Sequence, residues 1–465
     1  MTYQPNRRQF LRCAAAGTLA LLAPSGEAGY AQQSRRPNLL VIFADDWVYR
    51  AIGYNNPIVQ TPNLDRLASG GTIFEHAYVA SPICVASRSS ILTSLFPQQH
   101  GSVALDQTGF LTNVVDQGKY RTFAHDLTDA GYVTGFCGKS HLKSPLEYGF
   151  TEGKENGDYN DLTTFADAAQ FLAGRKGKES PFLLWVAPHQ PHVPLLPEQE
   201  FLDLYKEANI QPDPNFMEKP PKGSLYNQGK PGEQYYRDSE YVKNYNDLPS
   251  GPPRTRDQIV EFTRAYYATI SHLDRQIGEL ISNLKDSGHY ENTVILFLAD
   301  NGYHLGNHGL GNKITMHEES VRVPMLAHGP GVVKEGARSK ALVSSLDIYP
   351  TLLDLAGIRL PDHIQGRSLT PVFANPNATV RDYVFSECTG VGATVGMGHR
   401  MIRGDRWKYV LTDTNEEALF DQLDDPFELK NVISDPANVA VVTELRGRLS
   451  QWMDAIVDTH QRPGQ

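Results

Sequence analysis

Only 4 of the 465 residues are cysteine. That is too few for a disulfide framework, so stability has to come from a buried apolar core. Positive charge is also scarce: 43 Lys and Arg stand against 53 Asp and Glu, a formal net charge of -10. This balance argues against partnership with nucleic acid or an acidic lipid surface. An anionic substrate would have to meet local cations inside an acidic molecule. No apolar run reaches the roughly 20 residues that span a bilayer. No internal repeat is visible, and 30 Pro with 39 Gly fall short of a disordered profile. The length suits one large α/β domain with a smaller companion.

Residues 1–31 read as an export signal. Arg7-Arg8-Gln9-Phe10-Leu11 resembles a twin-arginine motif, an apolar stretch covers 13–23, and Gly29-Tyr30-Ala31 offers a cleavage site. Twin-arginine export moves folded proteins, which gives cytoplasmic enzymes access to the chain before transit. A mature protein starting near Gln32, periplasmic or secreted, is the expectation.

Four apolar runs, 38–44, 132–137, 181–187 and 294–299, have the length and the β-branched or aromatic content of buried parallel strands. Each ends in residues capable of chemistry. Asp45-Asp46 follow the first and Gly138-Lys139-Ser140-His141 the second. Pro188-His189-Gln190-Pro191-His192 follow the third and Asp300-Asn301-Gly302 the fourth. Ligands bind outside the carboxyl ends of strands in open α/β sheets, so these four ends would build one site. Helices are expected at 61–68, 257–286 and 346–356, stopped by Gly70-Gly71, Gly288 and Gly357. After Pro371 come short strands near 383–385, 401–402 and 407–410, then an amphipathic helix over 438–457. Residues 209–254, with Tyr226, Tyr235, Tyr236, Tyr241 and Tyr245, have no sustained period and read as an aromatic lid or a solvated excursion.

Asp45, Asp46, Asp300 and Asn301 offer only hard oxygen donors. Such a set favours Ca²⁺, or Mg²⁺, over Zn²⁺. Cys84 lies between a Pro-led turn and an apolar helical stretch, with Arg88 one helical turn beyond. Lys139 and His141 alternate on an extended segment, so a bend such as Gly138 is needed for them to point together. Imidazoles at His189 and His192 suit protonation of a departing oxygen. His304, His308 and His317 read as structural.

The segment Cys84-Val85-Ala86-Ser87-Arg88 resembles the modification sequence of type I sulfatases, Cys-x-Pro-x-Arg or Cys-x-Ala-x-Arg. In that family a maturation enzyme oxidises the cysteine to formylglycine. Gly138-Lys139-Ser140-His141 is similar to the family's Gly-Lys-x-His. Pro191-His192-Val193-Pro194 is similar to its Pro-His-x-Pro, a pattern that Pro188-His189-Gln190-Pro191 also meets. His308-Gly309-Leu310-Gly311-Asn312-Lys313 resembles its lysine segment. Ala86 stands where Pro is commoner, and Gly311-Asn312 stand where an aromatic is common.

The resemblance covers roughly 36–460. It implies an alkaline-phosphatase-like α/β fold: a large mixed, mostly parallel sheet sandwiched by helices over 36–375. A smaller C-terminal α+β domain with a short antiparallel sheet would cover 376–465. It also implies a sulfuric ester hydrolase acting on a sulfated small molecule or glycan. Formylglycine derived from Cys84 would be the nucleophile, with Ca²⁺ held by Asp45, Asp46, residue 84, Asp300 and Asn301. Arg88 would hold the nucleophile, Lys139 would contact sulfate, and His141 would take a proton from residue 84. His192, or His189, would be the general acid, and Lys313 would bridge sulfate and leaving oxygen. The alternatives are a phosphomonoester or phosphonate monoester hydrolase on the same scaffold, and a non-catalytic carbohydrate-binding homologue. A two-zinc phosphatase needs histidine ligands that 300–304 do not obviously supply.

Overall fold

The computed structural model describes residues 36–103, 120–142, 144–221, 254–388, 398–413 and 415–457. The export segment 1–31 and residues 222–253 of the expected lid lie outside them. The described strands, in chain order, are β1 (Asn38–Ala44), β2 (Gly71–Tyr78), β3 (Val133–Gly138), β4 (Glu152–Glu155), β5 (Phe182–Ala187), β6 (Thr293–Ala299) and β7 (His304–Leu305). They continue with β8 (Gly311–Asn312), β9 (Met325–His328), β10 (Ala337–Ser344), β11 (Val384–Cys388), β12 (His399–Arg403), β13 (Trp407–Thr412) and β14 (Glu417–Asp421).

Eight of them form one sheet in the order β10-β2-β9-β6-β1-β5-β3-β4. β6, β1, β5, β3 and β4 pair parallel, as do β10 and β2. β9 pairs antiparallel with both β2 and β6. Seven strands therefore run one way and only β9 is reversed. The central strands β1, β5 and β6 are buried along their whole length, which is why they read as unbroken apolar runs.

The helix Arg256–Asp286 buries Ile259, Phe262, Tyr266, Ile270, Leu273, Ile277, Leu280 and Leu284 along one stripe. It starts where Thr255 Oγ1 accepts from the Gln258 amide while the Gln258 side chain accepts from the Thr255 amide, a reciprocal cap. This helix packs with Pro62–Ser69, Leu162–Arg175 and Gln199–Leu204. Cys84–Thr93, Phe123–Asp129 and Ile348–Leu355 pack together as a second group. The helix expected at 346–356 opens with a 3-10 turn, Ser345–Asp347, before Ile348–Leu355.

β11 to β14 form an antiparallel sheet in sequence order, covered by the helix Val439–Ala455. The core beneath joins Ile402, Tyr409, Leu419, Leu445 and Trp452 to Ala80, Phe96 and Leu346. The C-terminal sheet thus shares its core with the segments flanking Cys84. A buried ion cluster adds to that junction. Lys408 on β13, fully buried, donates to Glu318 Oε1 at 3.0 Å and is ion-paired with Glu428. No helix among the described residues is long and apolar enough to cross a membrane.

Candidate active site

The four strand ends that carry chemistry are neighbours in the sheet and stop level with one another. Ala44 pairs with Ala299, Ile42 with Val186, and Gly138 with Ala187. Asp45-Asp46, Asp300-Asn301, Lys139 and the 188–192 turn therefore leave the sheet side by side. Asp46 takes a left-handed conformation, φ 58°, which costs a non-glycine residue on the order of 1 kcal/mol. Its backbone is tied on three sides. The Tyr266 hydroxyl donates to Asp46 O at 2.5 Å, the Asp46 amide donates to Asp300 Oδ1 at 3.2 Å, and the Trp47 amide donates to Asn301 O at 2.9 Å. Tyr266 reads in the sequence only as one more core position of its helix.

Gly138 supplies the bend that Lys139 needs. Its φ is 105°, and a Cβ there would lie 2.1 Å from the Ala187 carbonyl oxygen. Gly138→Ala is expected to cost at least about 2 kcal/mol, read by urea denaturation, and to lower turnover in the folded fraction because Lys139 is displaced.

Cys84 opens the helix Cys84–Thr93, all of whose residues are buried. Its thiol Sγ lies 3.4 Å from Asp45 Oδ1 and 3.9 Å from Asp46 Oδ1, and Lys313 Nζ approaches it at 2.7 Å. Burial and the Asp45 charge push the thiol well above its ordinary value, against Lys313. Apart from any bound cation, this environment disfavours the thiolate, the nucleophilic form of a cysteine. One turn on, Arg88 Nε donates to Asp300 Oδ2 at 2.9 Å and its Nη1 to Lys139 O at 2.7 Å.

Around residue 84 stand Asp45, Asp46, Asp300 and Asn301, all buried. One ligand atom from each of Asp45, Asp46, Cys84 and His192 lies within 4.8 Å of the others. Asn301 Nδ2 donates to Asp46 Oδ1 at 2.6 Å, while its Oδ1 is buried without a hydrogen-bond partner. An orphaned amide oxygen beside three carboxylates fits a hard divalent cation. Lys139 is ion-paired with Asp45 and Lys313 with Asp46. Burial pushes Asp45 up, but Lys139, His192, Arg88 and Lys313 outweigh it and hold the carboxyl well below the usual range. Asp300 is pushed up to about 7, by burial and then by Asp45. Crowding of like charge is what a bound cation relieves.

The structure separates the two histidines of the 188–192 turn. His192 Nε2 faces Asp46 Oδ2 at 3.7 Å, and its Nδ1 faces Val193 O. Burial and Lys139 push its imidazole well below the ordinary value. His189 instead lies against Asp161, Nδ1 to Oδ1 at 3.5 Å, and against the Tyr159 ring. His141, φ 56°, is half-buried and senses the charges of Lys139, Asp45 and Arg88.

His304, His308 and His317 form a different group. His304 Nε2 meets Thr315 Oγ1 at 2.8 Å, and His317 Nδ1 meets Glu428 Oε2 at 2.7 Å. Ligand atoms of His308, His317 and Glu428 lie within 4.8 Å of one another. However, the two imidazoles stack with centroids 3.8 Å apart and planes 13° from parallel. Nitrogen lone pairs lie in the ring plane, so near-parallel rings do not converge on one ion. The cluster is better described as ion-pair packing around Lys408. In the sequence Asp161, Lys408 and Glu428 each look like an ordinary surface charge, and only the fold shows them buried.

The family model described as Sulfatase matches residues 37–358, and that described as N-sulphoglucosamine sulphohydrolase, C-terminal, matches 306–455. An arylsulfatase of Clostridium perfringens is 28% identical, the match covering 90% of this chain and 96% of that protein. An N-acetylglucosamine-6-O-sulfatase of Bacteroides thetaiotaomicron is also 28% identical, over 86% of this chain and 83% of that one. A solved structure of a protein in complex with its substrate D-glucosamine-2-N,6-O-disulfate superposes with a TM-score of 0.77 at 25% identity, covering 92% of this chain and 100% of that one. The chain belongs to the sulfatase family, within the alkaline phosphatase superfamily. It is an enzyme that hydrolyses sulfate esters.

Proposed function

We propose that residue 84 acts as a formylglycine, that the site holds Ca²⁺, and that the ester is carried by a carbohydrate. The observation that carries this reading is the buried side chain of residue 84 set between Asp45, Asp46 and Lys313. An unmodified thiol has a single nucleophilic atom and no second group to expel the transferred sulfate, whereas the hydrated oxidised form has both. When present, the hydrated aldehyde supplies one hydroxyl to attack sulfur and a second whose deprotonation expels sulfate and restores the carbonyl. When bound by Asp45, Asp46, Asp300, Asn301 and residue 84, the cation supplies Lewis acidity there.

The chain's own groups do the rest. Lys139 and Lys313 reach the place of the sulfate oxygens and exchange their carboxylate partners for the ester. Arg88 balances Asp300 and fixes Lys139 through its carbonyl. His192, oriented at Nδ1 by Val193 O, gives a proton from Nε2 to the leaving oxygen. The anionic ester opposes the depression of its imidazole, so the proton arrives with the substrate. His141 takes the proton from the residue 84 side.

A carbohydrate is supported by the named substrates of two of the similar proteins. It is also supported by Tyr159, 39% exposed, whose ring lies 5.0 Å from that of His189 and 6.4 Å from that of His192. Exposed aromatic faces of this kind accept sugar rings. Export by residues 1–31, with maturation of residue 84 beforehand by a formylglycine-generating enzyme, belongs to the same reading. So does the division into a catalytic part, 36–375, and a C-terminal part, 376–465.

Mass spectrometry of the peptide containing residue 84 is expected to find an aldehyde in place of the thiol. A fully active enzyme with an ordinary thiol there would end this reading. Chelation is expected to lower both activity and melting temperature, with Ca²⁺ restoring them. Asn301→Ala should weaken Ca²⁺ binding at least about tenfold, read by calorimetry. Aryl sulfate should turn over faster than aryl phosphate, and the reverse order would favour a phosphohydrolase.

A further inference from the structure

Asp161 is a fully buried carboxylate that the chemistry above does not use. It takes φ 60° immediately before the helix Leu162–Arg175, a conformation uncommon for a non-glycine residue. Its carboxylate makes no capping bond to that helix's backbone. It turns instead to the exit of β5. Oδ1 accepts from the His189 amide at 2.8 Å and Oδ2 accepts from the Gln190 amide at 2.9 Å. The Thr164 hydroxyl adds a bond to Oδ1 at 3.3 Å. Beyond the captured pair, the His192 amide donates back to His189 O at 2.9 Å and closes the turn. From the opposite side the Asp45 amide meets Gln190 O at 3.4 Å. The segment that ends in His192 is thus held between Asp161 and the strand end carrying Asp45.

We propose that Asp161 is a positioning residue for His192, fixing the turn so that Nε2 faces the leaving oxygen. This rests on the reading of His192 as the general acid. Backbone hydrogen bonds to an ionised carboxylate are stronger than neutral ones. Two of them on successive amides fix both position and direction. Unusual backbone geometry persists where its surroundings over-determine it, as they do here.

The test uses the matured full-length enzyme and a series of substituted phenyl sulfates, plotting log kcat/KM against the pKa of the released phenol. His192→Ala is expected to steepen this dependence, because poor leaving groups need the proton most. Asp161→Asn should steepen it in the same direction. Its loss on phenyl sulfate should exceed its loss on 4-nitrophenyl sulfate by at least about tenfold, within the 10²–10⁴ a positioned acid supplies. Asp161→Ala should lie closer still to His192→Ala. Partial unfolding removes active molecules equally for every ester, so the slope reads positioning even in a weakened variant. An equal loss across the series, or no loss, in Asp161→Asn overturns the role while leaving the acid assignment standing if His192→Ala is steep. A His192→Ala slope equal to that of the wild type overturns both.

Discussion

Replacing Cys84 by alanine is expected to lower sulfate ester turnover by about 10³-fold or more, with the fold retained. The two halves of this expectation come from different observations. Residue 84 is the nucleophile of the proposed reaction, and the other groups only assist its attack or the departure of the leaving oxygen. Its side chain is small and sits among charged groups at the sheet edge, so alanine removes little apolar packing, worth about 1 kcal/mol. Lys313 retains Asp46 as its partner. Turnover is read by sulfate release and folding by the melting temperature. Cys137→Ala provides the contrast. Its thiol is pushed up to about 12 by burial and by Asp167, it belongs to the apolar core, and it should alter stability without abolishing activity. Cys84→Ser should transfer sulfate at most once per chain, since it lacks the second hydroxyl that expels sulfate. Intact mass would show the trapped ester. Substantial turnover by Cys84→Ala would place the nucleophile elsewhere.

Lys408→Met is expected to be the most destabilising single change at the junction of the two sheets, by about 3–5 kcal/mol in urea unfolding. Lys408 is fully buried between Glu318 and Glu428, and its removal leaves two carboxylates short of a buried counter-charge. Those carboxylates differ in how they titrate. Burial pushes Glu318 up, but Lys408, Arg322 and Arg403 outweigh it and hold it at about 2, against 4.5 ordinarily. Burial pushes Glu428 up; Lys408 opposes the rise and the Glu318 charge adds to it. A depressed carboxyl contributes stability that is complete above its unfolded value. The Glu318 contribution is therefore present above about pH 4.5 and lost as pH falls toward about 2. In Lys408→Met this acid-side loss should be shallower, because the lysine that depresses Glu318 is gone. Adding Glu428→Gln should recover part of the stability, since one uncompensated charge is removed. An unchanged urea midpoint for Lys408→Met would show that the cluster contributes nothing net.

The contrast between these two regions explains what the sequence reveals. β1, β3, β5 and β6 are legible because burial on both faces makes each an apolar run, and their polar termini stand out against it. β2 carries Glu75 and His76, β10 alternates charged with small residues, and β4 is Glu-Gly-Lys-Glu on the sheet edge. None of these has the continuous run of a central strand, and β9 is only four residues long. The nucleophile and metal candidates are legible because they are local motifs. Glu318, Lys408 and Glu428 are not, because three charges so far apart in sequence acquire meaning only once β13 brings Lys408 against the helix Glu318–Val321 and the loop carrying Glu428. Asp161 is missed for the same reason: its partners, the His189 and Gln190 amides, are backbone groups that every residue possesses. The choice between His189 and His192 is open in the sequence, where both fit one pattern, and their surroundings differ only in three dimensions.

The reversed direction of β9 has a consequence for how this scaffold can vary. Because β6 and β9 are antiparallel neighbours, with Leu298 opposite Met325, the chain from 300 to 324 departs from and returns to the same rim without crossing the sheet. Lys313 is carried on that return path, whereas a parallel neighbour would require a crossover to the far end. The ends of such an excursion are already pinned together, so lengthening it adds only a slowly growing entropic penalty. Packing rather than loop entropy is therefore the limit between Gly306 and Gly311, where Asn307 and Leu310 are buried and Asn307 donates to Asp213 and Asn215. Insertions there should be resisted, and Lys313 stays anchored while the strands beneath keep their register.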